Sequence, residues 1–137
     1  MGEVYAEITL KNGDDVSDAR RGRIKEQEVR QATVTAVVDT GSTFIVINEA
    51  LRAQLGLRIR RSGSVGLAGG KRSVCDYTEP VTICWKDRET ECRAVVLPDE
   101  NEILLGVIPL EGMDLMVNPS ARCLEGAHGD EMVFMVR

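Results

Sequence analysis

The sequence predicts an all-β, barrel-like domain with one or two short helices, and three observations carry that expectation. Apolar and polar residues alternate over several short runs, the period-two signature of half-buried strands. Breaks rich in Gly, Asn and Asp separate those runs at short intervals. Apolar residues at helical spacing are confined to brief segments in the middle of the chain and towards its end. Many short strands with little helix indicate a barrel rather than a layered α/β fold.

Taken in order, Val4, Ala6, Ile8 and Leu10 alternate with Glu3, Tyr5, Glu7 and Thr9, which reads as a first strand. Residues 11–28, KNGDDVSDARRGRIKEQE, are almost all polar and contain Asn-Gly and Arg-Gly breaks. They read as a polar loop insertion or the mobile tip of a long hairpin. Its Asp14, Asp15 and Asp18 lack the glycine and glutamate that a calcium loop needs, and Arg20, Arg21 and Arg23 read as a solvated face. A second strand runs from Val29 through Val34 and Ala36 to Val38 and ends abruptly in Asp39-Thr40-Gly41-Ser42. After a short apolar strand, Phe44 to Ile47, comes a helix with Asn48 as N-cap, Leu51 and Leu55 at helical spacing, and Gly56 as its stop. Strand-like pieces near 58–67, a turn at Gly69 and Gly70, and a hairpin over roughly 71–97 follow. Asp99, Glu100 and Glu102 read as a solvated acidic turn, and VIPLEGMDL as a short helix opening near Pro109. The tail MVFMVR, from Met132, reads as a last strand with two apolar faces, which a lone edge strand could not leave in water. With no internal repeat and no linker, residues 1–137 are expected to form a single domain.

Composition narrows the function. Aromatic residues make up only 4% of the 137 residues, so the core must rest on Val, Ile, Leu and Met. A net charge of −5 argues against nucleic acid as a partner. No run approaches the roughly 20 apolar residues of a membrane span, and MGEVYAEITLKNGDD has neither the basic start nor the apolar stretch of a signal peptide. The expectation is a cytoplasmic protein that does not engage membranes. Cys75, Cys84, Cys92 and Cys123 form no CxxC pair and have no nearby His, so no metal site is assigned. A Cys84–Cys92 disulfide is disfavoured by register, because placing Val81, Ile83 and Cys92 on one face puts Cys84 on the other. His128 is the only histidine and lies in the glycine-flanked stretch GAHGD; a Ser or Cys triad has little support.

The chemistry concentrates at Asp39. A strand of small apolar residues running straight into Asp-Thr-Gly-Ser, with apolar sequence on both sides (TAVVDTGSTFIVI), places a carboxylate where a strand stops. Alone it could be a turn-capping aspartate. Gly41 permits close backbone approach, and Thr40 and Ser42 supply hydroxyls beside the carboxylate. A Gly-Gly pair lies about thirty residues on, and Leu104-Leu105-Gly106 follows nearer the C-terminus.

These residues resemble the retropepsin-like aspartic proteases, including the small single-domain members of bacteria. Val37-Val38-Asp39-Thr40-Gly41-Ser42 matches that family's catalytic pattern and Leu104-Leu105-Gly106 its second signature, while ILLGVIPLEGMDLMVNP is similar to the C-terminal segment of the bacterial members. The likeness covers about residues 29–119. It implies an acid-protease-like closed barrel, with Asp39 as the catalytic aspartate and Thr40, Gly41 and Ser42 supporting its loop. Thr40 would reach to the opposite subunit, and Ser42 would donate to its own Asp39. Gly66 to Val74, with Ala68, Gly69 and Gly70 at its tip, would form a flap over bound peptide, although Lys71 and Arg72 depart from the neutral tips of viral members. Leu104, Leu105 and Gly106 would pack beneath the active site. Amide hydrolysis by carboxylates needs two of them, and this chain has one Asp-Thr-Gly. The implied enzyme is therefore a homodimeric aspartic endopeptidase acting on peptide or protein substrates, needing no cofactor. Two alternatives stay open: a catalytically idle dimeric module that binds extended peptides in the same groove, and a monomeric β domain whose Asp-Thr-Gly is coincidental.

Overall fold

Period-two burial organises the chain. The computed structural model describes residues 2–137. In strand β1 (Tyr5–Asn12), Ala6, Ile8, Leu10 and Asn12 are buried while Tyr5 and Glu7 face solvent, as the alternation predicts. β1 pairs antiparallel with β2 (Gln31–Val38). Between them the chain forms helix α1 (Gly13–Arg20) and one 3-10 turn, Glu26–Glu28. The expectation of a polar loop over 11–28 is thus corrected: Lys11 and Asn12 finish β1, and most of the remainder is helical. The physical reason is capping. Asn12 Oδ1 accepts from Asp15 N–H at 3.0 Å, and Asp14 and Asp15 lie in the first turn with Arg20 in the last, each charge favourably set against the helix dipole.

That helix is pinned at both ends of its first turn. Buried Asn12 also donates to the carbonyls of Leu55 and Gly56 at 2.9 and 3.1 Å. Asp15 receives Arg30 Nε at 2.8 Å, Arg30 Nη2 at 2.9 Å and the Arg30 backbone N–H at 3.0 Å, a bidentate clamp of the strong, charge-assisted kind.

The remaining elements are β3 (Ile45–Ile47), α2 (Glu49–Leu55), β4 (Ile59–Gly66), β5 (Arg72–Thr78), β6 (Val81–Trp85), β7 (Arg88–Cys92), β8 (Ala94–Val96), β9 (Ile103–Leu105), α3 (Val107–Gly112), β10 (Leu115–Asn118) and β11 (Cys123–Gly126). Helix α2 has the expected caps: Asn48 Oδ1 accepts from Leu51 N–H at 2.9 Å, and Gly56 closes it at φ +62°. The region read as one hairpin over 71–97 divides instead. Gly69 and Gly70 turn β4 into β5, β6 and β7 form their own hairpin, and β8 joins β3 and β5. The β10–β11 hairpin was not foreseen, and helix α3 starts at Val107, two residues before Pro109.

Nine strands form one mixed sheet in the order β4-β5-β8-β3-β9-β2-β1-β6-β7. It is all-β as expected, but it is not closed into a barrel: β4 pairs only with β5 and β7 only with β6. β7 packs against α3 instead, and buried Arg88 ties it there by donating to the carbonyls of Met113 and Asp114 at 2.9 and 2.8 Å. The tail does not form a strand within this chain either. Residues 132–137 have no regular secondary structure, and Met135 and Val136 are 91% and 90% exposed.

The centre of the sheet positions everything else. β2 and β3 are consecutive yet not neighbours, because β9 lies between them, parallel to β2 and antiparallel to β3. Each neighbouring strand is roughly 4.8 Å away, so residues 39–44 must arch across the end of β9. Leu105 at that end is fully buried. A side chain on Gly106 would run into the carbonyl oxygens of Ser42 and Phe44.

Two predictions follow from this arrangement. Gly106→Ala should destabilise the fold by roughly 1 to 3 kcal/mol or more, the usual penalty of overpacking against unyielding backbone, read as a lower denaturation midpoint. Arg30 holds the Asp15 carboxyl below its ordinary range chiefly through its side-chain hydrogen bonds. A depressed folded value adds stability above the unfolded pKa of about 3.9, and that stability is lost as pH falls through the folded value. Asp15→Asn should therefore cost roughly 1 to 2 kcal/mol near neutrality, and the gap from wild type should narrow as denaturation is measured progressively below pH 4.

Candidate active site

The loop that arches over β9 carries Asp39. Its position is set by backbone on three sides. Val38 N–H donates to Val4 O at 2.8 Å, Asp39 N–H to Leu105 O at 2.9 Å, and Ser42 N–H to Asp39 O at 3.0 Å. On the far side, Val107 and Ile108 N–H donate to the carbonyls of Ser42 and Thr43, each at 2.8 Å. Leu105 and Gly106 therefore lie beneath the Asp39 loop, and Leu104 reaches the cleft beside it.

The half-buried Asp39 side chain is oriented by its own loop. Gly41 N–H donates to Oδ1 at 2.9 Å and Ser42 Oγ to Oδ2 at 3.1 Å. A Cβ on Gly41 would press on Oδ1 at 3.2 Å, so glycine here leaves the carboxylate room. Thr40 is exposed and, among the described residues, its hydroxyl has no hydrogen-bond partner. No Lys, Arg or His forms an ion pair with Asp39 among those residues.

Asp39 opens onto a cleft of about 790 Å³. Its floor is Asp39, Gly41, Ser42 and Thr43, and its wall is a small apolar cluster distinct from the main core. Strand alternation explains the division: Ile45, Ile47, Ala94 and Val96 point into the main core, whereas Val46 and Val95 point into the cleft with Phe44, Tyr77, Leu97 and Leu104. Phe44 and Tyr77 meet edge to face, ring centres 6.4 Å apart, a favoured aromatic geometry.

Across the cleft runs the β4–β5 arm. β5 joins the rest of the sheet only through Asp76 and Tyr77, so the arm beyond them pairs with nothing but itself. Ala68 lines the cleft from the arm, while Gly69 and Gly70 form its turn at φ +85° and +81°, which suits glycine. Lys71 and Arg72 at the tip are exposed.

Thiol chemistry has no footing here. All four cysteines are free. Burial raises the Cys75 thiol and pushes Cys92 up to about 11, which keeps both protonated and weakly nucleophilic. In the β6–β7 register Val81 faces Cys92 and Cys84 faces Glu89, so the two cysteines are not opposed. His128 lies outside the cleft, with Nδ1 2.7 Å from Asp114 Oδ2. The apolar wall was not singled out from the sequence, although Val46, flanked by two core residues in a three-residue strand, carried the signal. Glu100 was assigned to a solvated turn; it is half-buried and lines the cleft, while Asp99 and Glu102 are exposed.

With fold and site described, comparison with known proteins is informative. Residues 20–108, well over half of the chain, match the family described as aspartyl protease. No curated protein matches the chain. Among solved structures, it is similar to the EIAV protease complexed with the inhibitor HBY-793, at TM-score 0.57 and 20% identity over 80% of this chain and 86% of that one. That likeness concerns the fold. On the family match the chain belongs to the aspartyl protease family, and its all-β fold is acid-protease-like.

Proposed function

We propose that this chain is an aspartic endopeptidase that works as a homodimer, with a water activated between two Asp39 carboxylates, one from each subunit. One observation carries the reading: a half-buried carboxylate, without a cationic partner among the described residues, stands on the floor of an open cleft, each oxygen held by a donor of its own loop. Family membership supports the reaction class. Amide hydrolysis needs a base for the water and an acid for the departing nitrogen in the same cycle. Two like carboxylates held together cannot both ionise easily, so they share a proton and divide those roles. The sequence has one Asp-Thr-Gly, and a twofold axis beside Asp39 brings the second.

In the mechanism, the ionised Asp39 takes a proton from water as it attacks the peptide carbonyl, and the protonated partner polarises the carbonyl oxygen. Collapse of the tetrahedral intermediate returns a proton to the amine. Ser42 Oγ and Gly41 N–H hold the carboxylate in plane throughout, without reorganising as charge moves. Exposed Thr40 bonds with the opposite loop in this reading, and the β4–β5 arm acts as the lid over the bound peptide. The apolar tail supports association: Met132, Val133, Phe134, Met135 and Val136 are all exposed in the single chain, and pairing with the symmetry mate would bury them.

Asp39→Asn should abolish cleavage of a peptide library while sedimentation still shows a folded dimer; sustained turnover by that variant rules the mechanism out. Wild type that binds extended peptides at every acid pH but cleaves none is instead the idle binding module. Specific activity should fall on dilution, and removing residues 132–137 should weaken association; a fully active monomer contradicts both. The rate should follow a bell-shaped pH profile peaking on the acid side of neutrality, about pH 4 to 6.

A further inference from the structure

The cleft holds a second carboxylate that peptide hydrolysis does not use. Glu100 belongs to the turn that leads into β9. Its N–H donates to Leu97 O at 3.0 Å, and its Oε1 accepts from Glu102 N–H at 3.2 Å, so the side chain is oriented by its own turn. Among the described residues Glu100 takes part in no ion pair, and no Lys, Arg or His lines the cleft. Two arginines border the aromatic wall, but each is engaged there: Arg61 Cζ lies 5.9 Å from the Tyr77 ring centre and Arg93 Cζ 5.7 Å from that of Phe44. A half-buried carboxylate with no cation opposite it is a poorly compensated charge. The wall that it shares with Val95, Leu97 and Leu104 is otherwise apolar.

We propose that Glu100 is a specificity residue, giving the cleft a preference for substrates with lysine or arginine in the subsite that it borders. A long aliphatic stem with a cationic head satisfies both parts of this wall: the stem covers Leu97 and Leu104, and the head meets the carboxylate. Glutamate or aspartate in that subsite is disfavoured by like charge. The inference rests on the endopeptidase reading and extends it. In a twofold dimer each cleft half brings its own Glu100, so the preference recurs at two positions related by symmetry about the scissile bond.

The test uses extended peptides that differ at one position, lysine against norleucine, scanned along the chain. Wild type should show a lysine-to-norleucine ratio in kcat/KM of roughly three to ten at one or two positions, and the ratio should shrink as salt is added. Glu100→Gln should bring that ratio close to one, and Glu100→Lys should turn the preference towards glutamate. The same peptide pairs are then titrated into the Asp39→Asn protein with Glu100 intact or changed to Gln, which reads the subsite without turnover. An unchanged ratio in Glu100→Gln, by cleavage or by binding, overturns the assignment. Cleavage with no lysine preference in wild type overturns it too and leaves the endopeptidase reading standing. Lysine-selective binding without cleavage supports Glu100 and overturns the endopeptidase reading instead.

Discussion

Everything at the site depends on a three-residue strand sitting where it interrupts its neighbours. β9 separates β2 from β3, and the chain between them, which includes Asp39, must cross over its end. The crossing is fastened by backbone alone, through Asp39 N–H to Leu105 O and the N–H groups of Val107 and Ile108 to the carbonyls of Ser42 and Thr43. Such bonds do not depend on rotamers, so they cost little side-chain entropy and hold the carboxylate's anchor at fixed geometry. They also explain why residue 106 has no side chain. The two backbones approach too closely for a Cβ.

A rigid floor and a loosely attached arm then divide the work. The floor stands on Leu105, Ile45, Ile47 and Ala36, all buried at the sheet centre. The arm from β4 and β5 is joined to that sheet by two residue pairs and carries a mostly exposed tip. Elements with few buried contacts and exposed hydrogen bonds lie at the low end of local stability, which suits the lid proposed for this arm. The apolar wall between them comes from the reverse face of the strands that build the core. Along β3 and β8, alternate residues thus build the core on one face and line the cleft on the other.

Departures from the sequence reading share one cause, the competition between local signals and remote partners. The polar stretch 11–28 looked unable to form a packed element, yet Asn12 caps α1 while also bonding to Leu55 and Gly56, and Asp15 is clamped by Arg30. Those partners lie 15 to 44 residues away, beyond the reach of any window. The sheet stays open because β7 spends its contacts on α3 and the Met113–Asp114 turn through Arg88. Glu100 resembled its acidic neighbours, yet it is half-buried and lines the cleft while Asp99 and Glu102 are exposed.

Local chemistry alone determined the strand alternation of β1, the Asn48 and Gly56 caps of α2, and the small hydroxyl-and-glycine loop around Asp39. Each of these depends on neighbours within a few residues, where propensity and hydrogen-bond reach act directly. The family's paired signatures, Asp39-Thr40-Gly41-Ser42 and Leu104-Leu105-Gly106, were legible for the same reason. Tertiary structure decided what those pieces meet: the insertion of β9 beside β2, the apolar wall of Val46, Val95 and Tyr77, and the charge of Glu100 facing the carboxylate's cleft. Side chains scattered from residue 39 to residue 104 become one surface only when non-local strand pairing brings them together.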